Sequence, residues 1–211
     1  MLPLDQCRLY AFVDTAYLRG REPSEVARQL CEGGADLIQL RAKTSSIEEI
    51  QQMAQRILPV TRRAHVGLVI NDHLALAQEV GAEFCHLGQE DYAAVCNTRR
   101  EVSPAQSRVR VGVSTHAPDQ ARMAIEAGAD YIAVGPIYAT ATKPGARPVT
   151  PDYVRWAAGN VALPWFAIGG INLTNLDDVL AAGARRICVV SAILNEENVA
   201  ATCAKFRKRL S

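Results

Sequence analysis

Four stretches of the chain share one pattern: GGADLIQL (33–40), GAEFCHLG (81–88), GADYIAVG (128–135) and GARRICVV (183–190). Each reads glycine, a small residue, a polar or charged residue, then an apolar run, and each follows a helix-like stretch. A glycine ends a helix at little cost because it can take the left-handed conformation. The chain then enters a strand whose unbroken apolar run means burial on both faces. A repeat of this kind constrains the fold more than any other feature, because helix and strand must alternate.

The remaining segments extend the rhythm. Strands are expected over 8–14, 37–41, 67–72, 84–88, 110–115, 131–137, 165–170 and 187–192. Helices fall between them. Ile47, Ile50, Met53 and Ile57 mark one apolar stripe, with Ser46 and Glu49 placed for a capping box. Thr174 and Asp177 suggest another helix start, and Val199, Cys203, Phe206 and Leu210 mark the last stripe. Strict alternation implies parallel strands joined by right-handed crossovers. Eight such units predict a single (β/α)8 TIM barrel over residues 1–211, a length that needs no second domain. An open doubly wound sheet is the alternative, and the lack of G-x-G-x-x-G after the first strand counts against its dinucleotide-binding form.

Composition excludes several partners. Lys and Arg number 23 against 22 Asp and Glu, a net charge of +1, so no bulk attraction to nucleic acid or an anionic membrane is expected. No apolar run reaches the length of a membrane span, and MLPLDQCRLYAFVD lacks the basic start of a signal peptide. The six cysteines show no C-x-x-C spacing, which suits a reduced, cytoplasmic protein with mostly buried thiols. The sequence leaves homo-oligomerisation open.

In barrels of this kind chemistry gathers at the C-terminal ends of the strands. After the second strand, QLRAK places Gln39, Arg41 and Lys43 at alternate positions, on one face of an extended chain. The third strand ends in Asn71-Asp72, and HLGQED carries the fourth to Asp91. Two carboxylates beside an anion-binding face suit a hard divalent ion; as an alternative, both acids serve as helix N-caps. GVSTH offers Ser114 as a donor, while His116 is expected to cap the next helix and His86 to be a satisfied core residue. YATATKPG (138–145) brings Thr140, Thr142 and Lys143 to a loop suited to gripping phosphate. AIGGI and VVSAI add Gly169, Gly170, Val190 and Ser191, where barrels often hold phosphate on backbone N–H groups. Two anion pockets follow: a charged one suited to diphosphate, with Arg41, Lys43, Lys143, Asp72 and Asp91, and a neutral one suited to a monophosphate.

Taken in order, IQLRAK, INDHLALAQEVGAEFCHLGQED, GVSTH, DYIAVGPIYATATKPG, FAIGGI and VVSAI closely resemble thiamine-phosphate synthase, from about residue 8 to 194. The resemblance implies a transferase of thiamine biosynthesis. It joins 4-amino-2-methyl-5-(diphosphooxymethyl)pyrimidine to 4-methyl-5-(2-phosphoethyl)thiazole, or its carboxylated form, with loss of diphosphate by dissociative substitution. It further implies that Gln39, Arg41, Lys43, Asn71, Ser114 and Lys143 bind the pyrimidine diphosphate. Asp72 and Asp91 would hold Mg²⁺, and Thr140, Thr142, Gly170, Val190 and Ser191 would bind the thiazole phosphate. Catalysis is expected of Arg41, Lys43, Ser114 and Lys143. The alternative functions are a thiazole tautomerase-like relative on the same fold, a Schiff-base aldolase and a non-catalytic phosphate-binding protein.

Overall fold

The structure, a computed structural model, describes residues 1–100, 109–142, 145 and 147–210, with side chains of 96–100 excepted. Eight parallel strands close into a barrel: β1 (Leu9–Asp14), β2 (Leu37–Arg41), β3 (Gly67–Asn71), β4 (Phe84–Leu87), β5 (Arg110–Thr115), β6 (Tyr131–Val134), β7 (Trp165–Ala167) and β8 (Ile187–Cys188). Closure comes from β1, which pairs with both β2 and β8 and so rules out an open sheet. Around the strands lie α1 (Pro23–Glu32), α2 (Ile47–Arg63), α3 (Leu74–Val80), α4 (Gln89–Arg100), α5 (Pro118–Glu126), α6 (Thr150–Asn160), α7 (Leu176–Ala181), α8 (Ser191–Leu194) and α9 (Val199–Arg209).

Strand alternation divides the core in two. Leu9, Ala11, Val13, Ile38, Leu40, Leu68, Ile70, Val111 and Val113 point outward and pack with the helices. Tyr10, Phe12, Leu37, Val69, Phe84, Tyr131, Phe166 and Cys188 fill the barrel interior, with Leu4 and Cys7 beside them. Tyr10, Phe84, Tyr131 and Phe166 meet edge to face, for example Tyr10–Phe166 at 5.3 Å and 83° and Tyr131–Phe166 at 5.7 Å and 80°. Each such pair contributes about 1 kcal/mol beyond its buried area. Gly112 makes room for this packing, since a Cβ there would lie 2.0 Å from Tyr131 Cζ. The interior is thus a packed floor on which the polar mouth rests.

Several elements differ from expectation for identifiable reasons. Residues 135–137 leave β6 early because Pro136 has no N–H to donate; pairing resumes when Ile137 N donates to Ile168 O and Tyr138 N to Gly169 O. Strand β8 stops at Cys188, as Val190 already forms the N-cap of α8. Ile47 is exposed at the first turn of α2, outside the stripe, whereas the Ser46–Glu49 capping box forms. Helix α7 begins at Leu176 after Asn175; the Thr174 hydroxyl bonds Asn172 instead of capping. Among the described residues no helix is long and apolar enough to cross a membrane.

Candidate active site

The inward positions at the C-terminal ends of β1 to β5 carry polar groups where the lower layers carry rings. Gln39 is buried and donates from Nε2 to the Tyr10 hydroxyl at 2.6 Å. Two residues on, Arg41 reaches the mouth, with Nη1 2.7 Å from Asp14 Oδ2 and Nη2 donating to Thr142 O at 3.2 Å. Asp14 is 1% exposed and also accepts from Ala16 N. A buried carboxylate paired to a guanidinium fixes that guanidinium in place, and the fork still has donors for a ligand. Asp14 escaped the sequence reading. The signal was present, because it is the acid that ends β1, as Asp72 follows β3.

Asp72 adopts a left-handed conformation, φ 64°, which an aspartate tolerates better than most residues. Its carboxylate is held by Asn71 Nδ2 at 2.6 Å and Lys43 Nζ at 3.1 Å. Asp91 is the third residue of α4, and its Oδ2 would lie 3.2 Å from a Cβ on Gly88. Neither acid is an N-cap: His73 takes that place for α3, and Asp91 lies inside its helix. His116 does not cap α5 either; Ala117 does, while His116 Nδ1 bonds Gly135 O and its backbone N donates to Gln120 Oε1.

These groups line one cavity of about 490 Å³, which contains Gln39, Arg41, Lys43, Asn71, Asp72, Asp91 and Ser114. A second cavity of about 100 Å³ adjoins it on the β6 to β8 side, lined by Thr140, Thr142, Gly170, Val190 and Ser191. Ser114, Thr142 and Val190 line both. The loop of the smaller cavity is tied down by Tyr17, whose hydroxyl meets Thr142 Oγ1 at 3.1 Å, and by Thr142 N donating to Thr140 Oγ1 at 3.3 Å. Gly169 and Gly170 have φ 104° and 65°, and a Cβ on Gly170 would lie 2.7 Å from Ala139 O. Only glycine lets the backbone pass so close. Lys143 lies outside the described residues.

The donor set fits a hard cation. Asp72 and Asp91 face one cavity, whose lining also includes Glu90, and Mg²⁺ is commonly bound by one or two carboxylates together with ligand phosphate oxygens. Among the described residues no group of three or more His, Cys, Asp or Glu is placed to hold a metal ion. Lys43 is half-exposed and paired to Asp72, an environment unlike the desolvated pocket a Schiff-base lysine needs. His86, expected in the core, is buried with both ring nitrogens engaged, by Tyr131 and by Ser114.

The profile of a family described as thiamine monophosphate synthase matches residues 9–193. A thiamine-phosphate synthase from Thermus thermophilus is 44% identical over 183 residues, covering 84% of each chain. One from Halalkalibacterium halodurans is 39% identical over 201 residues, covering 94% of this chain and 93% of its own. Among solved structures, the thiamine phosphate pyrophosphorylase from Pyrococcus furiosus superposes with a TM-score of 0.83 at 26% identity, covering 98% of this chain and 96% of its own. None of these similarities supports the tautomerase-like alternative. With this barrel, this rim and these relatives, the chain belongs to the thiamine monophosphate synthase family.

Proposed function

We propose that the mouth of this barrel joins an aminopyrimidine methyl diphosphate to a thiazole ethyl phosphate, with the larger cavity holding the diphosphate and the smaller one the monophosphate. The observation that carries this reading is the split of the rim into a charged cavity and an adjoining neutral one. The C–O bond between the pyrimidine methylene and the diphosphate breaks, and its electron pair leaves with the diphosphate. The 4-amino group donates into the ring and spreads the positive charge left on the methylene. The thiazole nitrogen then gives its lone pair to that carbon. No proton is removed from the nucleophile, so the site needs no general base.

The side chains supply fixed countercharge and position. Arg41, locked by Asp14 and the Thr142 carbonyl, points donors at the leaving group, and Lys43 adds a second cation. Ser114 and Asn71 offer hydrogen bonds, Gln39 lines the floor, and Lys143 is assigned to the leaving group from the sequence. Asp72 and Asp91 would hold Mg²⁺, which when bound neutralises charge on the departing diphosphate. Thr140, Thr142, Gly170, Val190 and Ser191 grip the monophosphate with hydroxyls and backbone N–H groups. Residues 1–211 thus act as one catalytic barrel. We place it in the cytoplasm: Cys7, Cys31, Cys85, Cys188 and Cys203 are free thiols, as a reducing compartment keeps them.

The test is release of diphosphate from the purified chain. It should appear with both substrates and Mg²⁺ present and stop when EDTA removes the metal. Binding of both substrates with no diphosphate formed would reduce the chain to a phosphate-binding protein, and EDTA-insensitive turnover would remove the metal from Asp72 and Asp91.

A further inference from the structure

We propose that His86 is a positioning residue for Ser114: its Nε2–H donates to the Ser114 hydroxyl oxygen and turns the hydroxyl proton outward, toward a bound diphosphate. The proposal rests on the assignment of the larger cavity to the diphosphate.

A continuous hydrogen-bonded chain runs through the barrel floor. Gln39 Nε2 lies 2.6 Å from the Tyr10 hydroxyl, Tyr10 lies 3.1 Å from the Tyr131 hydroxyl, Tyr131 lies 3.3 Å from His86 Nδ1, and His86 Nε2 lies 2.9 Å from Ser114 Oγ. Five residues from strands β1, β2, β4, β5 and β6 take part. All but Ser114 are buried.

The chain has a direction. An amide nitrogen can only donate, so Tyr10 accepts from Gln39 and must place its own proton elsewhere. Among the bonds described for Tyr10, the Tyr131 oxygen is the one acceptor. Tyr131, having accepted, donates to His86 Nδ1. A neutral imidazole that accepts at Nδ1 carries its proton on Nε2, and that proton points at Ser114 Oγ. Ser114 then holds a donated bond on its oxygen and has its own proton left for an acceptor in the cavity it lines. Burial raises the Tyr10 and Tyr131 phenols well above their ordinary pKa, so both remain protonated donors. Gln89 Nε2 donates to Ser114 O at 2.6 Å and steadies the backbone of the same residue.

This polarity matters chemically. A serine that donates to His86 would present only lone pairs to a phosphate oxygen, which repels them. A serine that accepts from His86 presents a polarised O–H, the form that stabilises a leaving anion.

The direct test is ¹⁵N NMR of the histidine rings in the full-length chain, with the His86 signal identified by its loss in His86→Gln. Wild type should show Nε2 protonated and Nδ1 bare, and Tyr131→Phe should shift the balance toward Nδ1–H. A wild-type ring protonated on Nδ1 overturns the proposal. In turnover assays His86→Phe should lower kcat about 10-fold or more, the effect of removing one buried hydrogen-bond partner, with the KM for thiazole phosphate unchanged. His86→Gln, which can still donate from its side-chain amide, should recover most of that loss; equal kcat values for the Gln and Phe variants would overturn the proposal. Unchanged turnover in Ser114→Ala would instead overturn the diphosphate assignment beneath it, whatever the tautomer of His86.

Discussion

The two cavities share a wall yet are built in different ways. On the β2 to β4 side the lining is charged and its members hold one another: Arg41 with Asp14, Lys43 and Asn71 with Asp72. On the β6 to β8 side the lining is uncharged hydroxyls and glycine backbone set among apolar side chains such as Ile168, Ile171 and Val190, with Gly170 packed close against Ala139 O. A phosphate that departs with an electron pair needs countercharge already in place, since reorganising charges during the reaction raises the barrier. A phosphate that only anchors its substrate needs a shaped cradle. The contrast is the basis of the proposal that the reacting group lies on one side and the anchor on the other.

Arg41→Ala should have the largest effect. It removes a cation from the charged side and leaves Asp14 buried without its partner. Breaking a buried pair from one side costs about 3–5 kcal/mol, to be read from urea unfolding. Adding Asp14→Ala should restore much of the stability and none of the turnover. Recovery of turnover would break the contrast, because it would make Arg41 structural only.

Asp72→Ala comes next and should lower kcat by about 10²–10³-fold, the range for losing one preorganised electrostatic group. Activity near wild type would remove the acid from the metal site. On the neutral side, Gly170→Ala forces a Cβ to within 2.7 Å of Ala139 O at φ 65°. It should lower thermal stability, at a cost of about 1–3 kcal/mol for backbone strain, and raise the KM for thiazole phosphate. Thr140→Val is milder, raising that KM about 10-fold for one lost hydrogen bond, with the pyrimidine diphosphate KM little changed. Equal effects on both substrates would erase the division of labour.

The smallest expected effect concerns Cys188, which lines both cavities. Burial raises its thiol well above the ordinary value, so at pH 8 it carries almost no thiolate. Alkylation with iodoacetamide should leave turnover intact; rapid inactivation, absent in Cys188→Ala, would show that the shared wall opens.

The sequence made the architecture legible because the glycine-led repeats mark every second boundary, and the rim because Gln39, Arg41 and Asp72 lie on or just past β2 and β3, with Thr140 in the loop that follows β6. What it hid were contacts between strands far apart in the chain. His86 stands alone in FCHLG, and nothing local reveals that Tyr131 and Ser114 bracket it. Asp14 was overlooked although the same strand-end rule covers it. The short β8 was unreadable from VVSAI, since an apolar run looks alike as strand or as the first turn of a helix.

The most direct measurement is a crystal structure with diphosphate, thiazole phosphate and Mg²⁺ bound together. Diphosphate should lie against Arg41, Lys43 and Ser114, with the metal between it and Asp72 and Asp91, and the monophosphate against Thr140, Thr142 and Gly170. Diphosphate seated among the glycines of the β6 to β8 side, with the charged cavity left to the thiazole, would contradict the account.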